Sequence, residues 1–130
     1  MATRTNISSG GPYEATFGYS RAVKIGNLVF VSGSTAIQPD GTVVGVGDPY
    51  VQTVATLHTI EQALEQAGAS CKDVVRTRMF ATNLAHTDAI GKAHAEFFAN
   101  IRPAATLVQI ARLIHPDMLI EIEADAVLAD

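Results

Sequence analysis

The C-terminal segment constrains the fold of this chain more than any other stretch. From Ile120 to Ala126 apolar residues alternate with acidic ones, which is the period-two pattern of a β-strand with two unlike faces. Glu121, Glu123 and Asp125 therefore follow one another on a single face, where like charges repel. We expect basic side chains on a neighbouring strand to compensate them, or a cleft between subunits to use one of them.

The first third of the chain predicts a loop followed by a hairpin. Residues 1–18 are rich in Gly, Ser, Thr and Asn, which is typical of a loop or an N-terminal arm. Two apolar runs within residues 20–32 flank Gly26-Asn27, a dipeptide that favours a tight turn between antiparallel strands. Pro39-Asp40-Gly41 predicts a further turn, and Thr42–Val44 a short edge strand.

Two amphipathic helices follow. Asp48-Pro49 supplies an N-cap and a proline at the first helical position, and Gly68 is the expected C-terminal stop. Between them apolar residues recur every three or four positions. A second helix is predicted over residues 89–100, with Thr87 or Asp88 as its N-cap.

The remaining segments complete an α+β pattern. Strands are predicted over residues 74–82, 105–111 and 119–128. On one face of the first we expect Val74, Arg76, Arg78 and Phe80. The order of elements predicts one domain over residues 1–130, a mixed β-sheet with two helices packed on one face. The other sheet face then needs a cover, and partner subunits would supply it.

Composition narrows the classes of partner. An apolar content of 48% with only 17% charged residues favours a subunit that buries surface in an oligomer. A net charge of −4 offers no footprint for nucleic acid, and the apolar runs are too short for a membrane span. The first residues lack the apolar core of a secretion signal, and the single Cys71 suits a reducing compartment. We therefore expect a cytoplasmic protein.

The sequence gives little indication of a metal site or of a reactive thiol. The four histidines are scattered, and none stands at a ligand spacing with cysteine or carboxylate neighbours: His58, His86, His94 and His115. We expect them to be solvated or locally bonded, and we predict no metal site. No paired base marks Cys71 as a nucleophile, so a structural thiol is the favoured interpretation.

Glu121 is the best candidate for acid–base chemistry. Burial can raise the pKa of a carboxyl group until it exchanges protons near neutral pH. The alternative is an ion-paired ladder in which all three acids meet arginines, namely Arg76, Arg78 and Arg112. For Glu123 and Asp125 we favour the ladder, whereas for Glu121 both interpretations stay open.

Five segments in order resemble the Rid (YjgF, reactive-intermediate deaminase) family. They are Tyr19–Val23 (YSRAV), Gly26–Gly33 (GNLVFVSG), Ala95–Phe98 (AEFF), Ala111–Leu113 (ARL) and Glu121–Ala124 (EIEA). The resemblance implies a chorismate-mutase-like fold and a homotrimer with a ligand cleft between each pair of subunits. It also implies hydrolysis of imines and enamines without a metal or cofactor.

The resemblance also assigns site residues. Tyr19 matches the family's cleft tyrosine, Ser32 and Gly33 match its strand Ser-Gly, and Glu121 matches its water-handling glutamate. Glu121 is therefore the predicted catalytic residue, and the others are predicted to bind substrate.

One segment departs from the family pattern. The family's Pro-Ala-Arg-Ser or Pro-Ala-Arg-Thr reads Pro103-Ala104-Ala105-Thr106 here, so Ala105 replaces the arginine that binds the substrate carboxylate. Alanine offers neither charge nor donor, and we expect poor activity on the usual amino-acid-derived imines. Ala105 and Thr106 remain predicted substrate-binding positions. Three other arginines could supply a displaced cationic contact: Arg21, Arg102 and Arg112.

Two functions stay open on this basis. One is a hydrolase, a deaminase of an imine or enamine other than the usual carboxylates, and the other is a non-catalytic trimer that binds or senses a metabolite in its clefts. A ribonuclease activity is disfavoured by the acidic charge and by the lack of a histidine pair set out for phosphodiester cleavage.

Overall fold

The structure, a computed structural model, describes residues 2–129. Its elements are β1 (Arg4–Ile7), α1 (Glu14–Phe17), β2 (Ala22–Ile25), β3 (Leu28–Ser34), α2 (Pro49–Gln66), β4 (Val74–Ala81), α3 (Thr87–Phe98), β5 (Ala104–Gln109) and β6 (Ile120–Val127). The predicted α+β architecture is confirmed, including the hairpin turn at residues 26–27.

One six-stranded mixed sheet organises the fold, in the order β1-β2-β3-β6-β4-β5. Only the β4–β5 pair is parallel among the described strands, because α3 carries the chain back across the sheet between them. The acidic strand β6 lies in the middle, antiparallel to β3 and β4. Its alternation is confirmed, since Ile120, Ile122, Ala124 and Ala126 are buried while the three acids face the other side.

Helix α2 begins as predicted, with the Asp48 carboxylate accepting a hydrogen bond from the Val51 N–H at 3.1 Å. Its buried face is more polar than its periodicity suggests. Thr53 and Thr56 are fully buried, and each hydroxyl donates to a backbone carbonyl four residues earlier, which satisfies it inside the helix.

Gln52, also fully buried in α2, joins three backbone segments. Its side-chain amide donates to the carbonyl of Gly45 at 3.2 Å and to that of Asp117 at 2.7 Å. Its carbonyl accepts from the Leu119 N–H at 2.8 Å. The segment entering β6 is thereby fixed to the first turn of α2.

Helices α2 and α3 pack on one face of the sheet, as predicted, around a core that includes Leu57, Ile60 and Ile90. The opposite face carries the acids of β6 and several exposed apolar side chains, among them Leu28, Phe30 and Val108. Within residues 2–129, no helix combines the length and apolar character that crossing a membrane requires.

Local predictions differ from the structure in four places. Residues 1–18 do not form only a loop, because the described part includes β1, which pairs with β2, and α1. Residues 42–44 do not form a strand, and an isolated antiparallel β-bridge joins Ile37 to Val43. The residue before α3 is His86, with no side-chain cap. Finally, Val74 lies in the core because the pairing of β4 shifts register between Val74 and Arg76, as a β-bulge does.

Candidate functional site

A cavity of about 590 Å³ opens beside the point where β3 and β6 pair, and Thr59 and Gln62 of α2 also line it. Four predicted site residues line it: Tyr19, Ser32, Gly33 and Glu121. We call it the β3–β6 cavity. It lies within the size range usual for small-molecule pockets.

The Glu121 carboxylate lies against the backbone of β3. The β3–β6 register shifts between Val31 and Ser34, so that Ser32 and Gly33 form an irregularity next to the acid. A Cβ built on Gly33 would overlap the Glu121 carboxylate, with the carboxyl carbon only 2.9 Å away. The bulge and the missing side chain of Gly33 therefore make the space that Glu121 occupies.

The environment of Glu121 shifts its pKa upward. Burial raises its pKa, the positive charge of Arg21 opposes that effect, and the negative charge of Glu123 adds to it, leaving a net upward shift. Its neighbour across the β4 pairing is the apolar Phe80, which offers no counter-charge. A carboxyl group with a raised pKa can both accept and return a proton under mild conditions.

The ladder interpretation is confirmed for the other two acids. Arg78 lies 3.3 Å from the Glu123 carboxylate and 3.1 Å from that of Asp125. Within the described part of the chain, Arg78 carries these pairings, not Arg76 or Arg112. Glu121 stands apart from them on the same strand face.

Arg21 is a buried component of the cavity wall. Its side chain is 8% exposed, and Nη1 donates to the Gly33 carbonyl at 2.7 Å and to Ser34 Oγ at 3.1 Å. Nη2 donates to the Tyr19 hydroxyl at 3.3 Å, and the guanidinium lies over the Tyr19 ring. Arg21 thus connects the tyrosine to the strand backbone beneath Glu121.

Glu14 provides the counter-charge of Arg21, at 3.6 Å between Oε2 and Nε. Burial alone would raise the pKa of Glu14, but hydrogen bonds from Ser9, Ser8 and the Gly11 N–H outweigh it and hold the pKa below its usual value. Glu14 is therefore ionised near neutral pH. The sequence does not reveal it as a site residue, because the composition of residues 1–18 predicts a loop.

The outer wall of the cavity is apolar and aromatic. The rings of Tyr13, the N-cap of α1, and Phe17, its last residue, stack at 5.4 Å between centroids with 10° between their planes. Phe17 and Ile114 are both largely exposed, at 61% and 58%, whereas Met118, which also lines the cavity, is buried. The sequence does not reveal Tyr13 and Phe17 as wall residues, because no periodic pattern marks so short a helix, and Ile114 and Met118 lie in an irregular segment that has no pattern either.

Ser32 lines the cavity, but its hydroxyl donates to the Ser20 carbonyl at 2.6 Å. Ser32 therefore offers a ligand its oxygen lone pairs rather than a free proton.

The other two predicted residues lie elsewhere in the chain. Ala105 and Thr106 are exposed on β5, the edge strand, opposite Thr77 and Arg78 of β4. Two strand spacings, about 10 Å, separate β5 from β6. A single chain does not bring them into the β3–β6 cavity, and their role remains a prediction.

The histidines and the thiol make local contacts. His58 lies 3.2 Å from the Glu61 carboxylate, and His94 Nε2 lies 2.9 Å from the Thr77 hydroxyl. Within residues 2–129, no group of three or more His, Cys, Asp or Glu side chains is arranged to hold a metal ion. Burial, together with the charge of Glu61, raises the pKa of Cys71 to about 11, which keeps the thiol protonated and unreactive.

Comparison with known proteins agrees with this architecture. A family model described as Endoribonuclease L-PSP matches residues 12–128. The 3-aminoacrylate deaminase RutC of Acinetobacter baylyi is 42% identical over 108 residues, which cover 83% of this chain and 85% of that protein.

Two crystal structures extend the likeness. A member of the YjgF/YER057c/UK114 family from Mycobacterium tuberculosis is 44% identical with a TM-score of 0.88, covering 97% of this chain and 100% of that one. The YjgF gene product of E. coli is 30% identical with a TM-score of 0.83, covering 95% and 98%. The resemblance seen in five sequence segments is confirmed, and the chain belongs to the YjgF/Rid family.

Proposed function

We propose that the protein is a hydrolase that deaminates a small imine or enamine, with Glu121 as the group that transfers protons. The observation that carries the proposal is the half-buried Glu121 carboxyl, whose pKa is raised, lying over Gly33 in a cavity that Tyr19 and Ser32 also line. The similarity to a 3-aminoacrylate deaminase supports the same class of reaction.

The proposed chemistry needs one oriented water and one carboxyl group. The ionised Glu121 takes a proton from water as the water oxygen bonds to the iminium carbon, and the π pair moves to nitrogen. The carboxylic acid then returns that proton to the nitrogen. The C–N bond breaks as the hydroxyl oxygen forms the carbonyl, and ammonia leaves with the hydroxyl proton as ammonium.

We further propose that three copies assemble, so that each β3–β6 cavity is completed by a neighbouring subunit that presents Ala105 and Thr106 from its β5 edge. Two features support this arrangement. The two residues are exposed and outside the cavity of their own chain, and the uncovered sheet face carries apolar side chains such as Phe30 and Val108, 46% and 40% exposed. Light scattering that gives the mass of a monomer would contradict it.

A second candidate function is a trimer that binds a metabolite without turnover. Ala105 favours it, because the position lacks the guanidinium that fixes a carboxylate substrate for reaction. Retention of Glu121 is compatible with both functions.

One assay separates the two. Freshly generated imines and enamines, with and without a carboxylate, are mixed with the wild type, and ammonia release is measured above the uncatalysed rate. We expect acceleration of at least one substrate, lost by about 100-fold in Glu121→Gln. Asp125→Asn is the matched control, since it alters the same strand face without touching the cavity, and it should retain the rate.

The outcomes point in different directions. No acceleration of any member, together with ligand binding in the cavity, would favour the binding protein. Ala105→Arg should add activity on carboxylated imines such as iminopropionate if the neighbouring β5 edge reaches the cavity. No gain in this variant would contradict the shared-cleft arrangement.

A further inference from the structure

The cationic side chain that lines the β3–β6 cavity already has partners within the protein for its hydrogen bonds and its charge. Arg21 is the one basic residue among the described residues that line it. Both Nη1 hydrogens are directed to Gly33 and Ser34, Nη2 to Tyr19, and Glu14 lies 3.6 Å from Nε. Because Glu14 is ionised, the pair is neutral, and it is too buried to take up an anionic ligand without separating.

The remaining charges that the described residues of this chain direct at the cavity are carboxylates. Glu123 lines it while sharing Arg78 with Asp125, so one arginine serves two acids. Glu121 lines it without a salt bridge to any residue in 2–129, although the positive charge of Arg21 acts on it from a distance. A ligand carboxylate would meet like charge here, whereas a cation would find a partner.

The walls of the cavity also favour a particular kind of ligand substituent. The stacked Tyr13 and Phe17, with Tyr19, Ile114 and Met118, give a surface for an apolar or aromatic group. The ring faces also attract a cation through their quadrupole. A cavity of about 590 Å³ has room for a ring of phenyl size beside a reacting C=N group.

We propose that this site takes the protonated imine of a primary amine that has no carboxylate and carries an aromatic or branched apolar substituent. The inference rests on the proposed function and deepens it. The iminium nitrogen lies beside Glu121, and the substituent lies against the Tyr13–Phe17 wall. The net reaction joins one water to the iminium and gives an aldehyde or ketone and ammonium.

This chemistry also fixes the class of reaction that must come before it. An imine without a carboxylate arises when a primary amine loses two electrons and two protons to an oxidant, so an amine-oxidising reaction must supply it. The oxidation of an α-amino acid would leave a carboxylate on the product, which this cavity disfavours.

The test uses two imines that differ only in the carboxylate. An amine oxidase acting on 2-phenylethylamine supplies one, and an amino-acid oxidase acting on phenylalanine supplies the other. We expect the acceleration by the wild type, as kcat/KM, to be at least about tenfold greater for the amine-derived imine. Equal or greater acceleration of the carboxylated imine would overturn the inference while leaving a deaminase in place.

A binding measurement covers the case in which neither imine is hydrolysed, which would be a failure of the proposed function. Calorimetry then compares 2-phenylethylammonium with 3-phenylpropionate. Tighter binding of the cation by about tenfold or more supports the ligand class, and equal or tighter binding of the anion overturns it.

Phe17→Ala tests the aromatic wall without disturbing the core, since Phe17 is 61% exposed. We expect it to weaken the binding of 2-phenylethylammonium about fivefold to tenfold, and to weaken that of methylammonium, which has no ring to pack against the wall, by less. Val46→Ala, an equally exposed apolar residue outside the cavity, should have no effect. Unchanged phenylethylammonium binding by Phe17→Ala would contradict the proposed wall.

Discussion

Gly33→Ala adds one methyl group at the point where the Glu121 carboxylate crosses β3. The new Cβ would lie 2.9 Å from the carboxyl carbon of Glu121 and 3.3 Å from its Cγ. Carbon atoms normally pack at about 3.5–4.0 Å, so the carboxyl carbon must retreat by at least about 0.6–1.1 Å, and Oε2, which the new Cβ would overlap outright, must move further. A misplacement of about 1 Å in a catalytic group costs about 100-fold, and we expect kcat/KM for imine hydrolysis to fall by that factor.

The same substitution should change stability little. Gly33 does not have a positive φ, so alanine fits the backbone and stabilises by about 0.4–1 kcal/mol through the unfolded chain. Moving Glu121 off its rotamer costs about 0.5–1.5 kcal/mol. The free energy of unfolding in urea should therefore stay within about 1 kcal/mol of the wild type, which separates lost activity from lost structure.

Gly91→Ala is the matched control. Gly91 lies in α3, and a Cβ built there meets no heavy atom within 4 Å. Alanine in a helix interior should stabilise by about 0.5–1 kcal/mol and leave kcat/KM unchanged. Full activity in Gly33→Ala would refute the argument that the position of Glu121 over the bulge matters for the reaction.

Three further outcomes can be measured by unfolding in urea. The folded-state pKa of Glu121 is raised, so its contribution to stability is lost as pH rises from 4.5 through the folded value. Glu121→Gln should therefore be more stable than the wild type at about pH 7, and this gain should vanish below about pH 4. A gain that stays constant with pH would contradict the raised pKa. Glu14→Ala leaves the buried Arg21 without its counter-charge and should cost about 3 kcal/mol, so a loss under about 1 kcal/mol would show that the pair is dispensable. Arg102 has a left-handed backbone (φ 57), and Arg102→Gly should stabilise by about 1 kcal/mol, whereas the control Ala99→Gly at the end of α3 should destabilise by about as much.

The parts of the fold that follow from local rules could be predicted from the sequence. Asp48 caps α2 because its carboxylate needs only the N–H three residues later, and the faces of β6 follow from alternation alone. Val74 could not be placed in this way, because a bulge inverts the alternation and its position depends on the partner strand.

The site residues also divide into those that local patterns predict and those that depend on tertiary contacts. Glu121 was identified from its strand and from the family pattern, whereas Glu14 was missed because its burial depends on donors gathered from Ser8, Ser9 and Gly11 by the tertiary fold. Thr53 and Thr56 show the related limit for cores, since a hydroxyl that bonds to its own helix packs like an apolar group.

The three bonds of Gln52 bear on how this scaffold tolerates change. The chain between β5 and β6 is long and without regular structure, yet its last residues meet the amide of Gln52 before the sheet begins. These bonds should hold the register of β6, and with it the position of Glu121, when the length of the upstream chain changes. Changes in length around residues 110–113 should therefore leave Glu121 in place, whereas changes at Ile114 would alter the cavity wall itself.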